Sequence, residues 1–399
     1  MAVLRIAFLK PDHGVAGGLE AVVSELEAIA RADGHEVARL GVDMRPARAE
    51  VAGLGIPRDV WDRAPEYFPY LAGWDAFERL DVRRFDVVVS TQPPSFAVRH
   101  PRHLSVFYHH HRLCYDLEET YLAAGFVDEP AIHREAARLV RELDQPALEQ
   151  VGWFLAGSET VARRLEAFNG RTNASVLHAG LIVGDRAAPA DDGGRRDGAV
   201  LTVGRNEFPK RTELVVAAAH LLPARRVALV GTGGRDGWLR TLDHRFATGA
   251  IDPASVDPAS LWCTTGRDVD EVTDELRTNV EHAGRVSDDE LARRLAAAPC
   301  LVAPALDEDY GLTAIEAMAA GCPVIVCTDG GGLAELVADG ETGLVVDPTP
   351  TAIAAAIERI CRDGELAARL RAGGRARAAE LTWDRAADEW RDALDRVAS

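Results

Sequence analysis

Residues 308–323 read Glu-Asp-Tyr-Gly-Leu-Thr-Ala-Ile-Glu-Ala-Met-Ala-Ala-Gly-Cys-Pro. Glu308 and Glu316 bracket a glycine and the start of a helix-forming run, which Gly321 and Pro323 end. A helix starting near Gly311–Thr313 leaves its first amides as free donors carrying partial positive charge. Such a helix start is a seat for phosphate. Carboxylates beside that seat are placed to grip hydroxyls, and hydroxyls flanking a diphosphate are the chemistry of a nucleotide sugar. A plainer pattern also fits. Thr313-Ala-Ile-Glu316 has the spacing of a capping box, in which Glu316 only reaches back to the helix N-terminus.

Two cations follow an apolar strand in Gly204-Arg205-Asn-Glu-Phe-Pro-Lys210. Placed at a strand end, Arg205 and Lys210 would neutralise a departing diphosphate; otherwise they belong to a solvated loop. Of 45 basic residues, two are lysines, Lys10 and Lys210. A lysine kept in so arginine-rich a chain points to a place where a compact charge on a flexible stem differs from a planar fork. Gly17-Gly18 follows the first strand and lets the backbone approach an anion, or makes a plain turn. Gly231-Thr-Gly233-Gly resembles a dinucleotide fingerprint, but its third glycine comes one residue late and no strand-end acid follows. It reads as a strand-to-helix turn near a nucleotide. His109, His110 and His111 are consecutive, so an extended backbone cannot aim all three at one metal. One of them facing a cleft could bond a sugar hydroxyl.

The elements that must position these groups alternate along the chain. Val3–Leu9, Phe85–Ser90, Leu104–Tyr108 and Trp153–Ala156 are apolar strands, and Leu19–Arg31 is an amphipathic helix. Gly184–Gly198 has the composition of a linker, after which the alternation restarts at Ala199–Val203. Thr248–Glu275 is a long irregular insertion. Unbroken apolar strands separated by helices indicate parallel sheets covered on both faces. The expected fold class is α/β: two Rossmann-like doubly wound domains facing a central cleft. The expected boundaries are 1–185 for the N-terminal domain and 198–380 for the C-terminal one, with a helix over 383–399 packing back on the first.

With 399 residues the chain is too long for one core. A formal charge of −18 argues against nucleic acid as a partner. No run approaches the ~18 apolar residues of a membrane helix, and Met1–Lys10 reads as a strand rather than a signal peptide, so a cytoplasmic location is expected. The six cysteines form no CxxC, which argues against a zinc site or a disulfide framework.

Taken together these motifs resemble the retaining glycosyltransferases of family 4, which have the GT-B fold. Glu308-x7-Glu316 with Ala-Met-Ala-Ala-Gly-Cys-Pro-Val is the strongest match. Gly284-Arg-Val286, Gly330-Gly-Gly-Leu-Ala-Glu335, Thr342-Gly343, Gly204-Arg205 with Lys210, Gly17-Gly18 and Thr382-Trp383 stand in the same order. The resemblance implies a nucleotide-sugar-dependent transferase with UDP-, GDP- or ADP-sugar as donor, a hydroxyl acceptor and no required cofactor or metal. It assigns Arg205 and Lys210 to the diphosphate, Glu316 to the ribose, backbone near Val286 to the base, and Glu308 to the donor sugar. The amides of Gly311, Leu312, Thr313, Gly17 and Gly18 would meet phosphates or sugar. A histidine, His110 or next to it His109, would face the sugar. Tyr310 stands where phenylalanine is usual, and Gly157-Ser158 where Asn-Ser is common.

Two other classes compete with this reading. A GT-B glycoside phosphorylase would need a free-phosphate site. A non-catalytic nucleotide-binding module or an NAD enzyme is disfavoured by the missing fingerprint acid and by the Arg205–Lys210 pair. The acceptor is not legible. The aromatic-rich stretch Val42–Asp81 would stack on a sugar, bind a lipid, or form the core of a lid.

Overall fold

The structure is a computed structural model that describes residues 3–12, 14, 17–44, 50–51, 54–64, 66–181, 196–270 and 277–399, with 50–51 and 54–55 as backbone alone. The linker expected at Gly184–Gly198 falls outside these as far as residue 195, as does the part of the insertion beyond residue 270. The chain divides into two compact units: Met1–Ile182 with Trp383–Ser399, and Val183–Thr382.

Six strands form the parallel sheet of the N-terminal unit: β1 (Arg5–Asp12), β2 (Glu36–Asp43), β3 (Val87–Ser90), β4 (His103–Phe107), β5 (Trp153–Ala156) and β6 (Ala174–Val176). Their order is β2-β1-β3-β4-β5-β6. In the register, Ile6 lies beside Val37 on one side and Val87 on the other. Ile6, Ala7, Phe8 and Leu9 are all fully buried, because helices cover both faces of an interior parallel strand. The edge strand β2 instead alternates exposed and half-buried residues. The helix Trp383–Ala398 joins this unit. It buries Ala386, Ala387, Trp390, Ala393, Leu394 and Val397 at helical spacing. Trp390 stacks on Phe8 at 5.5 Å.

The C-terminal unit has a second parallel sheet: β7 (Val200–Val203), β8 (Val227–Val230), β9 (Val280–Gly284), β10 (Leu301–Ala303), β11 (Val324–Cys327) and β12 (Gly343–Val346). The order is β9-β8-β7-β10-β11-β12. The chain starts at mid-sheet, winds outward through β8 and β9, then returns to the other side of β7 for β10. Where winding reverses, between β7 and β10, the connections diverge and leave a crevice at the carboxyl ends of the strands. Its core joins Leu214 and Val216 of the helix Thr212–His220, Leu229, Ile325, and Ile353 and Ile357 of the helix Pro350–Arg362.

The two longest helices of the first unit without a counterpart among the sequence expectations are Tyr67–Glu78 and Pro130–Glu149. The first is apolar on nearly every side and shows no period, whereas the second carries a clear one, burying Ala136, Ala137, Val140, Asp144, Ala147 and Leu148. Part of the insertion expected to be irregular is the helix Pro258–Trp262, capped by the Asp257 side chain accepting from the Ala259 amide.

Candidate functional site

Three strand-end loops of the C-terminal unit are bonded to one another at the crevice between β7 and β10. The loop after β7 runs through Gly204–Lys210, that after β10 through Pro304–Gly311, and that after β11 through Thr328–Gly331. Leu306 N donates to Pro209 O (3.1 Å), Asp307 N to Asp329 O (2.8 Å) and Glu308 N to Gly330 O (3.0 Å), while Glu308 O accepts from Gly332 N (2.7 Å). Both backbone groups of Glu308 are therefore fixed. Its carboxylate accepts from Nζ of Lys210, so the structure pairs these two candidates directly.

The helix Leu312–Ala319 starts beside this pair. Its N-cap, Gly311, has φ 122°, and a Cβ there would lie 2.6 Å from Cδ1 of Leu333. Glycine satisfies both constraints. The amides of Ala314 and Ile315 turn to Gly311 O (2.9 and 3.3 Å), and those of Leu312 and Thr313 have no acceptor among the described residues. These are the donors an anion would use.

The capping-box alternative is excluded. With Gly311 as N-cap, Glu316 is the fifth helical residue and does not reach back. Its carboxylate has no hydrogen-bond partner among the described residues, and burial, with a smaller contribution from Asp288, raises its pKa to about 7. A largely buried carboxylate without a donor is unfavourable unless a ligand supplies one. The influence of Asp288 also ties Glu316 to the loop after β9, where Val286 is half-buried.

Arg205 is exposed, and no partner for its guanidinium occurs among the described residues. The nearby glycines serve packing. A Cβ on Gly231 would lie 1.8 Å from Gly204 O, and one on Gly233 2.2 Å from Asn206 O. The amides of Gly233 and Gly234 are taken by the carboxylates of Asp236 (3.1 Å) and Glu207 (2.7 Å). The fingerprint-like sequence thus comes from two loops in backbone contact.

The remaining candidates lie in the N-terminal unit. Gly17 N donates to Glu20 (2.8 Å), which leaves the Gly18 amide as the one without an acceptor among the described residues. Lys10 pairs with the same Glu20 at 3.7 Å. His110 is 1% exposed, stacked on Tyr115 at 4.3 Å and edge-on to Phe107 at 4.9 Å. Its Nε2 donates to Oδ1 of Asn169 (2.7 Å), and Nδ1 is buried without a partner among the described residues. Burial lowers its pKa to about 4, so the ring is neutral at pH 7. His109 is half-buried, with Nδ1 2.8 Å from His110 O.

Sequence reasoning passed over Arg211 and Asp329. Arg211 is 2% exposed, and its guanidinium spans Pro304 O (2.7 Å), Ala305 O (3.3 Å) and the Asp329 carboxylate (2.8 Å). Nothing in Lys210-Arg211 marks one cation as buried and the other as half-exposed.

Residues 273–377 match the family Glycosyl transferases group 1. The D-inositol 3-phosphate glycosyltransferase of Nocardioides sp. is 32% identical over 292 residues, 69% of this chain and 59% of that protein. That of Streptomyces avermitilis is 40% identical over 282 residues, 68% of this chain and 56% of that protein. The chain thus spans little more than half the length of these relatives. Among solved structures, sucrose-phosphate synthase from Thermosynechococcus elongatus aligns at a TM-score of 0.64 with 21% identity over 98% of both chains. Anabaena Alr3699/HepE in complex with UDP-glucose aligns at 0.64 with 15% identity over 98% of this chain and 99% of that one. The chain belongs to the group 1 glycosyl transferases, and its fold is GT-B.

Proposed function

We propose that this protein transfers a glycosyl group, with retention of anomeric configuration, from a nucleoside-diphosphate sugar to a hydroxyl acceptor. The observation that carries the reading is what meets at the crevice of the C-terminal unit. An unpaired guanidinium, a lysine, two free helix amides and a half-buried carboxylate without a donor lie on the loops after β7 and β10 and on the helix that follows β10. They match in order a diphosphate followed by a ribose.

In this reading Arg205, Lys210 and the amides of Leu312 and Thr313 hold the diphosphate. Glu316 accepts from the ribose hydroxyls, backbone near Val286 meets the base, and Glu308 meets the donor sugar. The family resemblance also assigns amides of Gly17 and Gly18 and a histidine, His110 or His109, to the donor; the burial of His110 and its bond to Asn169 favour His109 as the contacting side chain.

The bond from the anomeric carbon to the diphosphate oxygen breaks as the acceptor oxygen bonds the same face of the sugar. The departing phosphate takes the acceptor proton. Fixed cations and amides carry the developing negative charge, the role a divalent metal fills elsewhere. Inositol phosphates, after the names of the relatives, are the first acceptors to try.

A thermal-shift panel of UDP, GDP and ADP tests the donor site, since a ligand of the folded state raises the melting point. One of the three should raise it, and Lys210→Ala and Glu316→Ala should each abolish the rise. A rise that survives both substitutions removes the site. An inverted anomeric product by NMR ends the retaining mechanism.

A further inference from the structure

We propose that Arg211 is a positioning residue of the donor site, holding Lys210 and Glu308 in register, and that the insertion supports it through Trp262. The inference rests on the diphosphate reading above.

Arg211 has φ 57°, in the left-handed region that disfavours residues with a Cβ. Its side chain is buried, whereas that of Lys210, which precedes it, is half-exposed. The backbone of Arg211 belongs to the loop after β7. Its fork reaches Pro304 O and Ala305 O of the loop after β10 and Asp329 of the loop after β11. The next residue, Gly330, accepts from Glu308 N, and the Glu308 carboxylate accepts from Lys210. These bonds close a ring from Arg211 through Asp329, Gly330, Glu308 and Lys210 back to Arg211. Each member is fixed from two directions. Arg211 itself is buried and directs its donors to protein acceptors, so it acts on the ligand through its neighbour.

Trp262 brings the insertion against this ring. The Trp262 ring lies 5.4 Å from Cζ of Arg211 and 5.9 Å from the Phe208 ring. Trp262 O and Thr264 O accept from Arg235 (3.2 and 2.7 Å). Arg235 also donates to Glu213, and both residues are buried. Glu213 stands two residues beyond Arg211, on the helix Thr212–His220. A buried ion pair thus pins the insertion to the helix that Arg211 precedes, and lays an indole over the guanidinium. The geometry gives the Thr248–Glu275 segment a purpose its sequence did not show. Charge clamps act through preorganisation, and a displacement of about 1 Å costs on the order of 10²-fold in rate.

Arg211→Gly tests this, because glycine keeps the left-handed turn while removing the fork. Titration calorimetry would follow UDP, GDP and ADP, and the corresponding monophosphates, on the parent, Arg211→Gly, Trp262→Ala and Lys210→Ala. Arg211→Gly should weaken the tightest diphosphate tenfold or more and its monophosphate threefold or less, and millimolar methylguanidinium should restore part of the loss. Trp262→Ala should follow the same pattern with a smaller loss. Unchanged diphosphate affinity in Arg211→Gly, or equal losses for mono- and diphosphate, overturns the proposal. If Arg211→Gly fails to fold, Asp329→Asn removes the opposite end of the same link and is judged by the same ratio. A parent that binds none of the three diphosphates, or a Lys210→Ala variant of undiminished affinity, sinks the diphosphate reading itself, and this proposal falls with it. An intact Lys210 effect beside an inert Arg211→Gly refutes the positioning role alone.

Discussion

Glu316 carries a testable conflict between stability and binding. Its pKa is about 7 in the folded chain against an ordinary 4.5, so the folded state keeps a proton that the unfolded state has released across that interval. Stability attributable to this group therefore falls as pH rises from 4.5 through 7, and the penalty is fully present above. Glu316→Gln removes the charge and keeps the shape. Without ligand, the variant should melt higher than the parent at pH 8, and the two should converge below pH 4.5. The same variant should lose the nucleotide-induced shift, since an amide is a poorer acceptor for ribose hydroxyls. Equal melting points at pH 8 would show that the folded chain does not raise the pKa of Glu316. The two glutamates were legible in sequence because one segment carries both, with a helix start between them. Arg211 and Asp329 were not, because they are 118 residues apart and meet through tertiary structure.

At the scale of elements, most strands could be read from unbroken apolar runs, since only a parallel strand covered on both faces needs apolar residues at every position. Side-chain bonds between elements leave no such period. Asp243 is an example. It stands on the helix Asp236–Ala247 and accepts from Nε2 of His220 (2.7 Å), Nε2 of His282 (3.4 Å) and the Thr278 hydroxyl (3.0 Å). These donors tie the helix Thr212–His220 and strand β9, with the residues before it, to the helix Asp236–Ala247. Burial acts to raise the Asp243 pKa, but the bonds from His220, His282 and Thr278 together outweigh it and hold the group at about 2. A carboxylate lowered from 3.8 contributes stability that is present above pH 3.8 and lost as pH falls towards 2. Asp243→Asn should cost on the order of 2 kcal/mol at neutral pH, the scale of hydrogen bonds to a charged group. Hydrogen exchange should register it as faster exchange in β8 and β9 at pH 7. The difference from the parent should shrink in acid. A difference that grows in acid would reverse the assigned sign.

At the scale of the whole chain, the last helix closes the first unit. Trp383–Ala398 contacts β4, β5 and β6, and its Trp390 lies on Phe8 of β1. Trp383 Nε1 donates to Leu181 O (2.8 Å), His178 is bonded through its amide and its ring to Glu389 (2.7 Å each), and Arg391 pairs with Asp33 at 2.9 Å. The sequence spacing of Trp383, Ala387, Trp390 and Leu394 reveals an apolar face, expected to lie on the first domain, but no pattern names the strands that receive it. Contacts more than two hundred residues apart along the chain decide that. A sheet whose face is covered by the far end of the chain stays incomplete until that end is in place. Trp390→Ala should therefore remove about 3–5 kcal/mol from the first unit, the range for deleting a fully buried large aromatic. The loss should appear as faster hydrogen exchange in β1, β4 and β5, which lie under the helix, with the edge strand β2 changing less. Trp390→Phe keeps most of the apolar contact and should recover more than half of the difference. If β1, β4 and β5 keep their protection in Trp390→Ala, the helix only decorates a sheet that is stable without it.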